Sequence, residues 1–134
     1  MTGQKHLMTN VNLLYDSLLS TGHVNSCALL SRADGSVLAS SVGYSPSPEQ
    51  LQVVLDAFAS PAEARKSGAK FEGRDYKVMR ADKNSVYART GKKGLVAVRT
   101  HGHVILATYG DAHCPAVCIE ACEKLGEYLR LKDK

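Results

Sequence analysis

Across residues 69–109 the apolar positions of this chain stop recurring at helical spacing and fall at every second residue. The runs KFEG, DYKVMRA, SVYART, LVAVRT and HVILATY carry the pattern. Only Gly73, residues 82–84, the stretch GKKG and His101-Gly102 separate them. Links this short join antiparallel neighbours, because a parallel crossover needs roughly a dozen residues or more. An antiparallel meander is therefore fixed first, and the rest of the chain must cover its two faces.

The flanking segments supply that cover. Leu7, Val11, Leu14 and Leu18 recur at helical spacing, with Met8, Tyr15 and Leu19 widening the stripe, and predict a first helix ending near Leu19. Gly22 in STGH suits the left-handed residue that closes a helix. SCALLSR and SVLASSV, joined through Asp34-Gly35, read as a hairpin. Ser47-Pro48-Glu49-Gln50 and Ser60-Pro61-Ala62-Glu63 both read as capping boxes with proline at the first helical position. The helix from Pro48 is expected to bury Leu51, Val54, Leu55 and Phe58; the helix from Pro61 is short and ends near Gly68. A last amphipathic helix starts at Pro115. Its apolar stripe is Val117, Cys118, Ala121, Cys122, Leu125, Tyr128 and Leu129, with Glu120, Glu123, Lys124, Glu127 and Arg130 on the other side. The expected fold is α+β, one domain over residues 1–134. It has a central antiparallel sheet, the N- and C-terminal helices on one face and two short helices on the other.

Composition excludes several classes of function. A 134-residue chain that is 44% hydrophobic and 22% charged can bury a core. No apolar run approaches the roughly 20 residues of a membrane span, and the N-terminus lacks the pattern of a signal peptide. Four cysteines in such a chain are expected to be reduced thiols in the cytoplasm. Cys114, Cys118 and Cys122, with His113 adjacent, do not have zinc-ligand spacing, so no metal is expected and core packing accounts for Cys118 and Cys122. Cys114 precedes a helix start, which leaves a thiol-based sensor open. No nucleophile arrangement, carboxylate pair or phosphate loop is present, so neither an enzyme nor a cofactor is expected. Residues 62–99 hold 11 Lys and Arg against 4 Asp and Glu, so the +4 net charge is concentrated there. An acidic partner is favoured over a merely solvated face, and without RNP-like aromatics that partner is not nucleic acid.

The phrases GHVNSCALLSRADGSVLASS, GKKGLVAVRT, VILATYGD and EKLGEYL resemble profilins, in sequence and in order, over nearly the whole chain. The resemblance implies a monomeric, cytoplasmic, cytoskeleton-associated protein that binds monomeric actin, proline-rich ligands and anionic phosphoinositides. Its actin face would comprise Arg80, Arg89, Lys92, Lys93 and Arg99 with Ala116, Ile119 and Glu120 at the start of the last helix. PAVCIE stands where many profilins read PGQCN, so reduced actin affinity is expected. Arg89, Lys92, Lys93 and Arg99 would form the phospholipid patch. The proline-rich groove would fall to Tyr15, Leu38 and Tyr128. Leu38 replaces the usual tryptophan and the chain has none at all, so binding there is expected to be weak or absent. A phospholipid-binding relative that has lost actin is the alternative.

Overall fold

In the strands over residues 93–99 and 103–109 alternate residues are buried on opposite faces of the sheet, and this two-sided burial organises the molecule. The structure, a computed structural model, describes residues 2–133, with side chains described for residues 10–132. Helix α1 (Thr2–Ser17) and a 3-10 turn (Leu19–Thr21) lead into the hairpin β1 (Ser26–Ser31) and β2 (Val37–Ser40). Helices α2 (Pro48–Ala59) and α3 (Pro61–Ser67) follow. The meander is β3 (Ala69–Phe71), β4 (Arg74–Ala81), β5 (Ser85–Thr90), β6 (Lys93–Arg99) and β7 (His103–Tyr109), and α4 (Pro115–Asp133) closes the chain. The seven strands are antiparallel, in the order β2-β1-β7-β6-β5-β4-β3. Strand β7 pairs with both β6 and β1, which welds the meander to the N-terminal hairpin.

The strand period of two then sorts the core. Ala28, Leu30, Leu95, Ala97, Val104 and Leu106 pack with Leu51, Val54 and Phe58 of α2 and Ala64 of α3. Cys27, Leu29, Val96, Val98, Ile105 and Ala107 pack with Leu14 of α1, with Leu18, and with Cys118, Cys122 and Leu125 of α4. Fully burying each large aliphatic side chain stabilises the fold by about 1.5–3 kcal/mol. The expected placement of the terminal and middle helices on opposite faces is what the structure shows. Helix α4 seats closely on β6 at Gly126, where a Cβ would lie 2.6 Å from Val98 Cγ1.

Local features follow the sequence with instructive exceptions. Gly22 takes φ 76° and closes the 3-10 turn. The first capping box forms in full: Ser47 Oγ accepts from Gln50 N at 3.2 Å and Gln50 Oε1 accepts from Ser47 N at 2.9 Å. The second does not form. The Ser60 N–H is already donated to Asp56 O at 2.9 Å, ending α2, and is not available to Glu63. Glu63 instead accepts from Ser67 Oγ at 2.6 Å. Leu55 is half-buried, and Val117 and Tyr128 are exposed and do not complete the stripe of α4. Glu123 and Arg130, assigned to the solvent side, are half-buried against the sheet. The side chains of Leu7 and Met8 lie outside the described residues.

Two irregularities matter for function. Strand β4 carries a bulge between Val78 and Arg80, so the two residues emerge on opposite faces. The β3–β4 turn places Glu72 at φ 52° and Gly73 at φ 74°. A left-handed conformation costs a non-glycine residue about 1–2 kcal/mol.

The capping difference gives a clean test. In urea unfolding, Ser47→Ala is expected to lower stability by about 1 kcal/mol, whereas Ser60→Ala, which breaks no side-chain cap, should stay within about 0.5 kcal/mol of the parent.

Candidate functional site

The β4 bulge turns Arg80 onto the terminal-helix face beside Tyr87, its partner across the ladder. There the guanidinium is fixed from several sides. Nε donates to Asp82 Oδ2 at 2.9 Å, Nη1 donates to the Tyr87 hydroxyl at 3.1 Å and lies 3.9 Å from Glu123 Oε2, and Cζ sits 5.2 Å from the Tyr87 ring centroid. Glu123, one turn beyond Ile119 on α4, accepts from Ser85 Oγ at 2.7 Å and from the Tyr87 hydroxyl. Asp82 Oδ1 accepts the backbone N–H groups of Asn84 and Ser85, each at 2.8 Å. One network thus ties α4 to the β4–β5 turn.

Its electrostatics are consistent. The Asp82 contact, foremost, raises the Arg80 pKa further. Burial works to raise the Asp82 carboxyl, but the Asn84 N–H, Arg80 and the Ser85 N–H outweigh it and hold it below its ordinary value. Burial, then the bond to Glu123 and that carboxylate's charge, push the Tyr87 phenol up to about 12. Nothing in the sequence marks Tyr87, Asp82 or Glu123 as site residues, because a bulge and a helix-to-turn contact leave no periodic signature.

The other cations are less united than the sequence suggested. Arg89 is exposed and shares the strand parity, and so the face, of Tyr87. Lys92 is exposed at the tip of the β5–β6 hairpin. Lys93 has the parity of Leu95 and Ala97 and turns toward the α2/α3 face, lining a recess with Tyr44 and Tyr76. Arg99 does not join Arg89, Lys92 and Lys93. Six residues along β6 place it about 20 Å from Lys93, and its guanidinium stacks 5.1 Å from the Phe58 ring centroid on the α2 side. Burial, then the neighbouring charge of Arg32, lower its pKa.

On α4, Ala116 is exposed, Ile119 is half-buried against the core and Glu120 is paired with Lys124 at 3.0 Å. A groove of about 540 Å³ runs between the terminal helices, with Leu13 and Ser17 on one side and Val117, Lys124, Leu125 and Tyr128 on the other. Tyr128 lines it at its exposed edge. Tyr15 is exposed outside it and Leu38 is half-buried in β2, so neither is part of this lining. Leu13, which the helical stripe omitted, is. Cys27, Cys118 and Cys122 are buried in the core, and burial foremost pushes the Cys27 thiol up to about 11. Cys114 is exposed, and its backbone N–H donates to His23 Nδ1 at 2.8 Å. Among the described residues no group of His, Cys, Asp or Glu is arranged to hold a metal ion, and no helix is long and apolar enough to cross a membrane.

This helix-flanked antiparallel sheet has known counterparts. The profilin family model matches residues 8–134. The chain is 43% identical to profilin-4 of Bos taurus over 122 residues, covering 90% of this chain and 95% of the relative. It superposes on Acanthamoeba castellanii profilin IA with a TM-score of 0.82 at 30% identity, covering 92% and 98% of the two chains. The fold is also that of mouse profilin IIa in complex with a double repeat from the FH1 domain of mDia1, at a TM-score of 0.67 and 14% identity, covering 95% and 97%. The chain belongs to the profilin family, non-enzymatic proteins that bind actin and regulate the cytoskeleton.

The depressed Asp82 carboxyl fixes the sign of a pH effect. Its contribution is present above the ordinary aspartate value of 3.8 and is lost as pH falls through the lower folded value. Asp82→Asn should therefore cost up to about 1 kcal/mol near neutrality, at this partly exposed site. The gap from the parent should close below the ordinary value, as followed by urea unfolding across pH.

Proposed function

We propose that this profilin acts in the cytoplasm as a monomer that binds monomeric actin through its terminal-helix face, with reduced affinity. We further propose that it binds anionic phospholipid through Arg89, Lys92 and Lys93, and that its binding of proline-rich ligands is weak or absent. The observation that carries the actin reading is Arg80, held in place by Asp82, Tyr87 and Glu123 on the face that also bears Arg89. A preorganised cation loses little freedom on docking. The same contacts argue for reduced affinity, since an acidic partner must compete with Asp82 and Glu123 for one guanidinium. Ile119 reinforces this, because it offers an apolar surface already half-committed to the core.

The phospholipid reading rests on three cations around one hairpin, each contributing about 1 kcal/mol near an anionic surface. Mouse profilin IIa is known in complex with an FH1 repeat. In this chain the groove between the terminal helices is lined by Tyr128 as its one aromatic among the described residues, with no tryptophan anywhere in the sequence to donate an indole N–H. A relative that binds phospholipid and has lost actin is the second reading, favoured by the internal satisfaction of Arg80.

Sedimentation velocity with labelled monomeric actin at low and physiological salt separates the two. The actin reading predicts a saturable 1:1 complex that survives physiological salt and weakens about tenfold or more in Arg80→Ala. No complex at tens of micromolar protein, an affinity weaker than about −6 kcal/mol, would overturn it. Vesicle co-sedimentation should then respond chiefly to Lys92→Ala, Lys93→Ala and added salt.

A further inference from the structure

On the α2/α3 face, near the β5–β6 hairpin, lies a polar recess of about 400 Å³ lined by Asn25, Ser26, Tyr44, Glu72, Lys93 and Thr108. That volume suits a small ligand. Lys93 and Glu72 both line it, yet among the described residues neither side chain makes an ion pair or hydrogen bond. The Tyr44 hydroxyl is buried and has no partner among the described residues. Burial, and then the Glu72 charge, raise the pKa of that phenol, so it stays a protonated donor. The hydroxyls of Ser26 and Thr108 are bonded to each other at 2.5 Å, each with capacity left over.

Orphaned buried polar groups are rare in folded proteins, because desolvation without a partner is costly. Here one such group shares a recess with a cation and an anion, both exposed and paired with no other side chain among the described residues. The backbone at Glu72 sharpens the point. Its turn has φ 52° followed by Gly73 at φ 74°, a geometry that favours Asn, Asp or Gly at the first position. A glutamate there is better explained by its carboxylate than by its backbone.

The choice of ligand follows from charge. An apolar molecule would leave the Tyr44 hydroxyl unsatisfied and gain nothing from the exposed charges of Lys93 and Glu72. A phosphate dianion would meet Lys93 but confront the Glu72 carboxylate. A molecule with one carboxylate and one ammonium a few bonds apart satisfies both. We propose that this recess binds a small amino-carboxylate zwitterion of the free amino acid type, its carboxylate on Lys93 and the Tyr44 hydroxyl and its ammonium on Glu72. This site lies on the opposite face of the sheet from Arg80 and shares Lys93 with the proposed phospholipid patch, and its occupation needs neither actin nor phospholipid.

The test is a titration of the ¹⁵N-labelled full chain with glycine and with leucine, to about 10 mM, followed by two-dimensional ¹H–¹⁵N spectra near neutral pH. The expected result is saturable shifts at Asn25, Tyr44, Glu72 and Lys93 for at least one of the two, with distant signals unmoved. N-acetylglycine, which lacks the ammonium, and glycinamide, which lacks the carboxylate, should bind at least about tenfold more weakly than glycine or not at all. Lys93→Met and Glu72→Gln should each weaken zwitterion binding by a similar factor while leaving the remaining spectrum that of the folded parent. Absence of saturable shifts with both amino acids overturns the proposal, as does equal binding of glycine and either half-ligand. The half-ligand comparison uses the unaltered chain and stands even if a variant misfolds.

Discussion

The pairing of β7 with both β1 and β6 is the contact on which the rest of this profilin depends. It turns a hairpin and a meander into one sheet and places β7 at its centre, where the helices cover both of its faces. A strand covered on both faces cannot slip by one residue without moving every side chain to the opposite core. Val104 and Leu106 are thereby committed to α2 and α3, and Ile105 and Ala107 to α1 and α4. The positions of Arg89, Lys93 and Arg99 follow from the same register, since the neighbouring strands inherit their parity from β7. The pleat sets Arg89 and Lys93 on opposite faces, and the length of β6 sets Arg99 apart from Lys93.

Against that strict alternation the β4 bulge stands out. One extra residue, Met79, sends Val78 to one core and Arg80 to the other face. The guanidinium then meets Tyr87 and the α4 carboxylate, and the resulting network spans a strand, a turn and a helix. Electrostatic organisation of the candidate actin face therefore rests on a local break in the pattern that builds the sheet. Functional geometry often sits where regularity fails.

This also explains what could be read from the sequence. The strands, the first capping box, the Gly22 closure and the sorting of helices to two faces were legible, because each is written in short-range spacing or in a local side-chain bond. The Ser60 box was misread because one N–H cannot end α2 and also receive Glu63, and a motif does not show that competition. Helical periodicity sends Glu123 and Arg130 to solvent because it does not reveal that the sheet offers polar partners on that side: Ser85 and Tyr87 of β5 and the Arg99 carbonyl at the end of β6. Arg99 stands apart from Lys92 and Lys93 because β6 runs from Lys93 to Arg99 and puts the two at its opposite ends. Leu13 in the groove was missed because it flanks the apolar stripe of α1.

The seat of α4 on β6 at Gly126 has a consequence of a different kind. A helix resting on a continuous ridge of side chains can slide or roll by small increments, but a helix with a single notch over Val98 has one axial stop. The Glu123 carboxylate and the Tyr128 ring lie one turn or less from that stop, on separate sides of the same cylinder. A single missing carbon thus acts as the common datum for two surfaces: it sets how far the carboxylate reaches toward the β4–β5 turn and how wide the groove to α1 stands open. Any adjustment of one surface by moving the helix would be transmitted to the other.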